Sequence, residues 1–545
     1  MHERPRPERR LAVLGILFLG LLAIELLVCR LYRGPEPKSA DAPDDQFSAE
    51  RAISIHETLF PNQPHPGGSF QNQLVRDRLV ETLQQLGLKV EVKQAVVESD
   101  AKVVLFNVLA EMPIRRDGKL DAKARPLVLA THYDSCRTGP GAGDDGAAVT
   151  AMIETARALR FVGTLKRPVY LLFTDGEELG LLGAFQFVRS DPLSAKKPYV
   201  IAFDARGNRG PAVMYETHDG NSAAIAAWVS SLAKPKITGS MFAAVSRILP
   251  NSSDFRAFAP AGWQGFNFAL IDGAHDYHQP SDNLANLDRR SVQHIGEHAL
   301  SLAKVIASTD GDLPTTSHNA VFFDVLGQFV VQYPSSWCLP LSLIAFAAIA
   351  VSNWRRVRSP GVMRAFVLVP ACVLTVVASS AAVGWFLSRL LRDVGVLPRE
   401  FVWYGDWVVL GLLFVSAAIS LGFARWTLRR CSGDGVWAAL WLWWGIASIS
   451  VATVAPEFSH LLLVPSLLAV VPSITCSSIA ARTTLVSLVS AVLLVPVLHL
   501  LAITLGASAG MLLCPAFALA LLPLYPVMVM SAEQPKPVVS VSSMG

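Results

Sequence analysis

The segment Pro126-Leu-Val-Leu-Ala-Thr-His132-Tyr-Asp134-Ser-Cys136-Arg-Thr-Gly-Pro-Gly141-Ala-Gly143-Asp144-Asp145-Gly146-Ala147-Ala148 passes from an apolar run into a helix-forming one. Pro126–Thr131 is short and almost wholly apolar, as a strand covered on both faces must be. Ala147–Leu159 reads as the helix that follows it. The glycines between them let the chain turn tightly, and the small residues let the helix approach the sheet. The pattern recurs at Val169–Thr174, a second buried strand, which leads through Asp175-Gly-Glu177-Glu178 into a helix over Leu179–Val188. Further out, Leu74–Leu86 reads as a helix with Val75, Leu79, Leu83 and Leu86 on one side, and 88–92, 103–110, 200–203 and 266–271 read as strands. Short apolar strands alternating with helices give an α/β class, with strands of mixed direction covered by helices.

These elements fall within residues 48–310, a soluble domain holding most of the lysine and acidic residues. The rest of the 545-residue chain is different. Overall 52% of residues are hydrophobic and only 17% charged, against about 25% in an ordinary soluble protein, and the mean hydropathy is +0.40. This argues against a cytosolic multidomain enzyme and against extended disorder. The net charge of +4 carries no nucleic-acid signature. Of seven cysteines, only Cys136 lies in the polar part, so that part closes no internal disulfide.

Residues 1–10 are basic, with Arg4, Arg6, Arg9 and Arg10, and 11–29 are apolar apart from Glu25. The run is just long enough to cross a bilayer. It ends at Leu-Leu-Val-Cys-Arg without a small-residue cleavage site, so it reads as an anchor rather than a removed signal peptide. Residues 30–47 read as a tether and 311–334 as a connector. Residues 335–530 carry about seven apolar segments, near 335–353, 362–387, 405–424, 436–455, 459–475, 483–503 and 506–530, making about eight spans with the anchor, and 531–545 form a tail. Arg355, Arg356, Arg358 and Arg364 fall in one connection, and Arg425, Arg429 and Arg430 in another. The positive-inside rule puts both clusters, residues 1–10 and the tail in the cytoplasm, and the soluble domain on the other side. Arg389, Arg392 and Arg399 run against this pattern. Glu457, His460 and His499 are the polar exceptions within the spans. Trp437, Trp441, Trp443 and Trp444 read as packing or an interface belt.

Five polar clusters occupy the soluble domain, most of them directly after apolar strands, where active sites gather in open α/β sheets. They are His132-Tyr-Asp134; Gly141-Ala-Gly-Asp144-Asp145-Gly; Asp175-Gly-Glu177-Glu178; Asp204-Ala-Arg206; and His275-Asp276-Tyr277-His278-Gln279-Pro-Ser-Asp282. Asp145 is placed to cap the following helix, which leaves Asp144 for a metal. Adjacent side chains point differently, so Glu177 and Glu178 can take two roles. Two histidines and several carboxylates make a mixed N/O donor set that suits zinc, with manganese or cobalt as alternatives. Ser135 and Cys136 lack the strand-turn-helix elbow of a covalent nucleophile.

The ordered set His-x-Asp, Gly-Ala-x-Asp-Asp-Gly, Asp-Gly-Glu-Glu-x-Gly-Leu-Leu-Gly-Ala and Tyr-His-x-Pro-x-Asp resembles the M28 family of metallopeptidases over about 70–305. A soluble domain followed by many spans, together with Leu249-Pro-Asn-Ser-Ser-Asp254-Phe-Arg256, resembles its membrane-bound branch, found in endoplasmic reticulum and vacuolar membranes. The resemblance implies a zinc-exopeptidase-like fold joined to an all-helical membrane domain, two Zn2+ ions and peptide substrates. It implies His132 and Asp204 on one zinc, Glu178 and His278 on the other, and Asp144 bridging. Glu177 would be the general base on a metal-activated water, Asp134 would orient His132, and Tyr277 would bond the oxyanion. Asp204 stands where many of the branch carry glutamate, and Gln279 where threonine is usual. The expected activity is that of an aminopeptidase, with Glu216 and Asp276 as candidate partners for a free α-amine. The alternatives are a carboxypeptidase using Arg206, a glutaminyl cyclase-like enzyme, and a non-enzymatic scaffold or transporter. The lone external cysteine suits a bacterial inner membrane with the domain in the periplasm. An endoplasmic reticulum or vacuolar membrane is the alternative, and Asn251-Ser-Ser253 is formally a glycosylation triplet.

Overall fold

The structure is a computed structural model, and it describes residues 7–98, 102–113, 124–163, 165–247, 253–358, 362–397 and 406–529. Arg4, Arg6, Leu249–Ser252, Arg399 and the 531–545 tail lie outside these residues. The soluble part is built on β1 (Lys89–Glu98), β2 (Lys102–Glu111), β3 (Leu127–His132), β4 (Val169–Thr174), β5 (Tyr199–Ala205), β6 (Arg209–Thr217) and β7 (Gln264–Asp272). They form one sheet in the order β1-β2-β4-β3-β5-β7-β6. The central β4, β3, β5 and β7 are parallel, while β1, β2 and β6 run antiparallel to their neighbours. The mixed sheet expected from the sequence is therefore present. Its core joins Leu127, Leu129, Phe173, Ile201 and Phe268 to Val149, Ile153 and Ile295 on the covering helices.

Several elements depart from the sequence pattern for local reasons. The helix Phe70–Gln85 starts earlier than expected because Ser69 caps it, accepting from Asn72 N at 3.0 Å. The helix Leu182–Ser190 starts later than expected. Residues 177–181 instead form a turn in which Gly180 and Leu181 N–H both donate to Glu177 O at 2.8 Å, with Leu181 at φ 61°. Gly183 then lets that helix close on the end of β4, where a Cβ would lie 2.1 Å from Asp175 O. β6 opens with Arg-Gly-Pro and lies at the sheet edge, where proline is tolerated; its mixed polarity hides it from a pattern search. The helix Ala49–Leu59 and the hairpin β8 (Ala320–Val325) and β9 (Phe329–Pro334) are likewise additions.

Among the described residues, seven helices are long and apolar enough to cross a membrane: Leu11–Leu31, Ser335–Ser352, Val362–Asp393, Trp407–Leu428, Gly433–Val454, Ile479–Leu505 and Ala507–Met528. The apolar helix His460–Thr475 is shorter. Small residues let these helices meet closely. A Cβ on Gly384 would lie 2.2 Å from Gly510 O, and Ser342 and Ser448 hydroxyls lie 3.0 Å apart. Trp437 and Trp441 are fully buried, which favours packing over an interface belt for these two.

The soluble domain sits on one end of this bundle. Ser240 donates to Glu457 O at 2.8 Å, and Phe323 stacks on His460 with centroids 4.8 Å apart. At the anchor, Tyr32 donates to Asp324 at 3.0 Å, and Glu25 lies 2.8 Å from His499. Arg356 and Arg482 both reach Asp434 at the other end, whereas Arg389 and Arg392 close the helix Val362–Asp393 on the domain side.

Candidate metal centre

The predicted site residues converge at the C-terminal ends of the parallel strands. His132 ends β3, Glu177 and Glu178 follow β4, Asp204 lies near the end of β5, and Tyr277 and His278 follow β7. Asp144 comes from the glycine turn before the helix Ala147–Leu159. That turn needs Gly141, whose φ is 70° and where a Cβ would lie 2.5 Å from Asp144 O. Glycine at 143 lets the loop lie against Gly207 and Asn208.

The five proposed ligands form two groups that share Asp144. His132, Asp144 and Asp204 bring one donor atom each to within 4.8 Å of one another. Glu178 and His278 do so in a second group, with Cys136. Asp144 faces both: its Oδ1 is 3.2 Å from His132 Nε2 and its Oδ2 is 3.4 Å from His278 Nε2. His278 Nε2 also lies 3.0 Å from Glu178 Oε2, yet it aligns with neither oxygen as a hydrogen bond, and Glu178 Oε1 is buried without a partner. In the Glu178 and His278 group, donor atoms that converge without satisfying one another fit a cation between them, and the imidazole and carboxylate set of both groups is one that zinc takes.

The remaining residues hold this arrangement. Asp134 presents its backbone oxygen to His132 Nδ1 at 3.0 Å, with a carboxylate oxygen at 3.5 Å. The same carboxylate accepts from Glu177 N and Glu178 N at 3.1 and 3.3 Å, so one aspartate ties two ligand loops together. Tyr277 stacks on the His278 ring, centroids 3.8 Å apart. Burial pushes the Glu177 carboxyl up, His132 pulls it back, and the carboxylates of Asp204, Asp254 and Asp144 add to the rise. Burial alone would lower His132, but Asp134 and Asp144 outweigh it and hold the ring well above the usual histidine range.

Residues 107–303 match the model of Peptidase family M28. The soluble domain belongs to peptidase family M28. This M28 domain is similar to human Endoplasmic reticulum metallopeptidase 1, with 32% identity over 233 residues, 40% of this chain and 25% of that protein. It is similar also to the Vacuolar membrane protease of Eremothecium gossypii, with 29% identity over 299 residues, 50% of this chain and 28% of that protein. The matches thus cover about a quarter of the length of these curated relatives. Among solved structures, the glutaminyl cyclase of Porphyromonas gingivalis matches at 21% identity with a TM-score of 0.38, covering 47% of this chain and 98% of that one.

Some residues of the M28 domain act differently from what the sequence suggested. Asp145 does not cap the helix, whose N-terminus at Gly146 has no side-chain cap. It is buried and accepts from the Thr131 hydroxyl, pinning the turn to β3. Asp276 is engaged by Asn208 Nδ2 at 2.9 Å and Arg209 at 3.1 Å, and Glu216 accepts from Ser253 and Asn267 at 2.9 and 2.7 Å. Arg206 has a buried Nε without a partner, and Tyr277 is among its neighbours.

Two buried carboxylates enter that the sequence search named only as letters of a motif. Asp254 accepts from Thr174 behind Glu177. Asp282 accepts from Gly143 N at 2.8 Å and Asp144 N at 3.2 Å. No periodicity separates such a buried aspartate from a solvated one; only the neighbouring ligand motifs hint at them. Asp282→Ala should leave two buried N–H groups unpaired, which costs about 1–3 kcal/mol each, and let Asp144 move. Metal analysis of the purified full-length variant should show less bound metal than the parent, and an unchanged metal content would refute this role.

Proposed function

We propose that the chain is a membrane-anchored di-zinc exopeptidase, an aminopeptidase that hydrolyses N-terminal peptide bonds. The observation that carries this is Asp144, whose two oxygens face two separate histidines in adjoining donor groups. In this reading His132 and Asp204 hold one zinc, Glu178 and His278 hold the other, and Asp144 serves both. When bound, the metals supply Lewis acidity that activates a water and polarises the scissile carbonyl. Glu177, raised by burial and by its acidic neighbours, takes the proton of the attacking water and delivers it to the leaving amine. The Tyr277 hydroxyl, beside the ligand His278, donates to the oxyanion. Asp134 keeps His132 and the Glu177–Glu178 turn in register. Asp276 accepts from Asn208 and Arg209, and Glu216 from Ser253 and Asn267, and both carboxylates stay candidates for the substrate α-amine.

Adjacent glutamates in different roles separate experimentally. Glu177→Gln should keep both metals and lower kcat by roughly 10²–10⁴-fold. Glu178→Gln should lower the affinity of one metal position. Metal titration and turnover on both variants check this, and loss of metal from Glu177→Gln alone would reverse the roles.

A carboxypeptidase is the second reading, and the unpartnered Arg206 near Tyr277 favours it. A peptide pair differing only in N-terminal acetylation decides between the two. An aminopeptidase removes the first residue from the free peptide alone, as read by mass spectrometry. Equal C-terminal trimming of both peptides would establish the carboxypeptidase, and ring closure at an N-terminal glutamine would establish a cyclase.

The domain is proposed to face away from the cytoplasm. Arg356 and Arg482 meet Asp434 at the end of the bundle opposite the domain, which supports that orientation under the positive-inside rule, while Arg389 and Arg392 on the domain side run against it. The names of the relatives favour an endoplasmic reticulum or vacuolar membrane over a bacterial inner membrane. A cysteine replacing Asp219, whose side chain is 81% exposed, should be labelled above the parent background by an impermeant thiol reagent on the non-cytoplasmic side. Labelling only from the cytoplasmic side would invert the topology.

A further inference from the structure

We propose that Cys136 is a further protein ligand at the Glu178 and His278 position, making that position sulfur-bearing. This rests on the metal reading above and deepens it. Cys136 Sγ, a carboxylate oxygen of Glu178 and a ring nitrogen of His278 lie within 4.8 Å of one another. The second observation concerns Glu178. Its side chain is 9% exposed, and its Oε1 is buried without a hydrogen-bond partner. The His278 nitrogen in the same group is also unsatisfied. The sulfur therefore borders a point where two other donor atoms already lack partners.

The local chain keeps the sulfur there. Gly139 N–H donates to Cys136 Sγ at 3.2 Å, and a Cβ at 139 would lie 2.6 Å from Gln279 O. The Thr138 hydroxyl donates to His278 O at 2.6 Å and lies 3.5 Å from the sulfur. The turn 136–139 is thus docked on the segment that carries the His278 ring. A surface cysteine on an independent loop would have no such tie to a ligand residue.

Coordination forms a metal–sulfur bond and releases the thiol proton to solvent. Cys136 would join Glu178 and His278, beside the shared Asp144, as a protein donor at this position, and thiolate, imidazole and carboxylate are all donors that zinc takes. A thiolate shifts the preference of this position toward zinc and cobalt and away from manganese and magnesium.

Cobalt(II) reports this directly, because a thiolate ligand adds a near-ultraviolet sulfur-to-cobalt charge-transfer absorption that oxygen and nitrogen ligands do not. The full-length, detergent-solubilised chain is stripped of metal and titrated with cobalt. The band should appear in the parent, persist in Cys29→Ser, and vanish in Cys136→Ser, which should still bind cobalt with visible ligand-field absorption but at least about 10-fold more weakly at one position. Serine keeps an acceptor for Gly139 N–H, and Cys136→Ala serves as a second variant. Ligand-field bands in the parent without the charge-transfer band would overturn the sulfur ligand and leave the metal reading intact. A band that follows Cys29, which lies beside Glu25 and His499, would overturn it as well. No cobalt uptake at all would overturn both.

Discussion

Nine acidic side chains crowd the strand ends: Asp134, Asp144, Asp145, Asp175, Glu177, Glu178, Asp204, Asp254 and Asp282. That many carboxylates cannot all be charged in one largely buried volume without compensation. Burial holds Asp175 and Asp282 up at about 7 and Asp254 at about 6, and neighbouring carboxylates add to the rise. The fold answers this in two ways. Some carboxylates are taken up by backbone N–H groups, as Asp175 is by Phe106 at 2.8 Å, Asp282 by Gly143 and Asp144, and Asp134 by Glu177 and Glu178. Three more, Asp144, Glu178 and Asp204, lie within 4.8 Å of histidine nitrogens. The first set fixes loops in space, and the second gathers carboxylate oxygens and imidazole nitrogens into donor sets that a metal cation fits.

This division accounts for much of the backbone around the site. Donating N–H groups to a buried aspartate requires loops that turn sharply at defined points, and Gly139, Gly141 and Gly143 stand where a Cβ would meet another backbone or side-chain atom within 3.0 Å. The helix Leu182–Ser190 starts late for a backbone reason of its own. Residues 177–181 do not continue into that helix because Leu181 lies at φ 61°, in the left-handed region.

The parallel strands and the helix Ala147–Leu159 were legible because burial on both faces leaves an all-apolar run that few other structures produce. The ligand motifs were legible because each follows such a run at once. What escaped was decided by tertiary contact. β6 has mixed polarity because one of its faces meets the helix Arg289–Ser308, through the Ala212 N–H to His294 bond of 3.0 Å, while other residues approach the membrane helices. Asp145 looked like a cap because an aspartate before a helix usually is one; the Thr131 hydroxyl of the neighbouring strand is a nearer partner. The pairing of Glu25 with His499 joins residues 474 apart, beyond the reach of any local pattern.

The same long-range contacts bear on what the membrane helices contribute. Val213, Ile237 and Ile271 of the soluble domain pack with Val28, Tyr32, Leu500 and Ile503. Val213 is opposite Ala269, and Ala269 is opposite Asp204 on β5. A proposed metal ligand therefore lies two strands from the apolar seam between domain and bundle. Cutting the chain at residues 48 and 310 would uncover that seam and also remove β8, where Asp324 accepts from Thr238 N at 3.3 Å and Tyr32 at 3.0 Å. Val213 is 2% exposed and Ile237 1% in the intact chain, so exposing them to water removes hydrophobic stabilisation from the sheet edge that flanks the site. The bundle is in this sense the outer wall of the β6–β7 edge, and the geometry at Asp204 depends on it through two strand pairings.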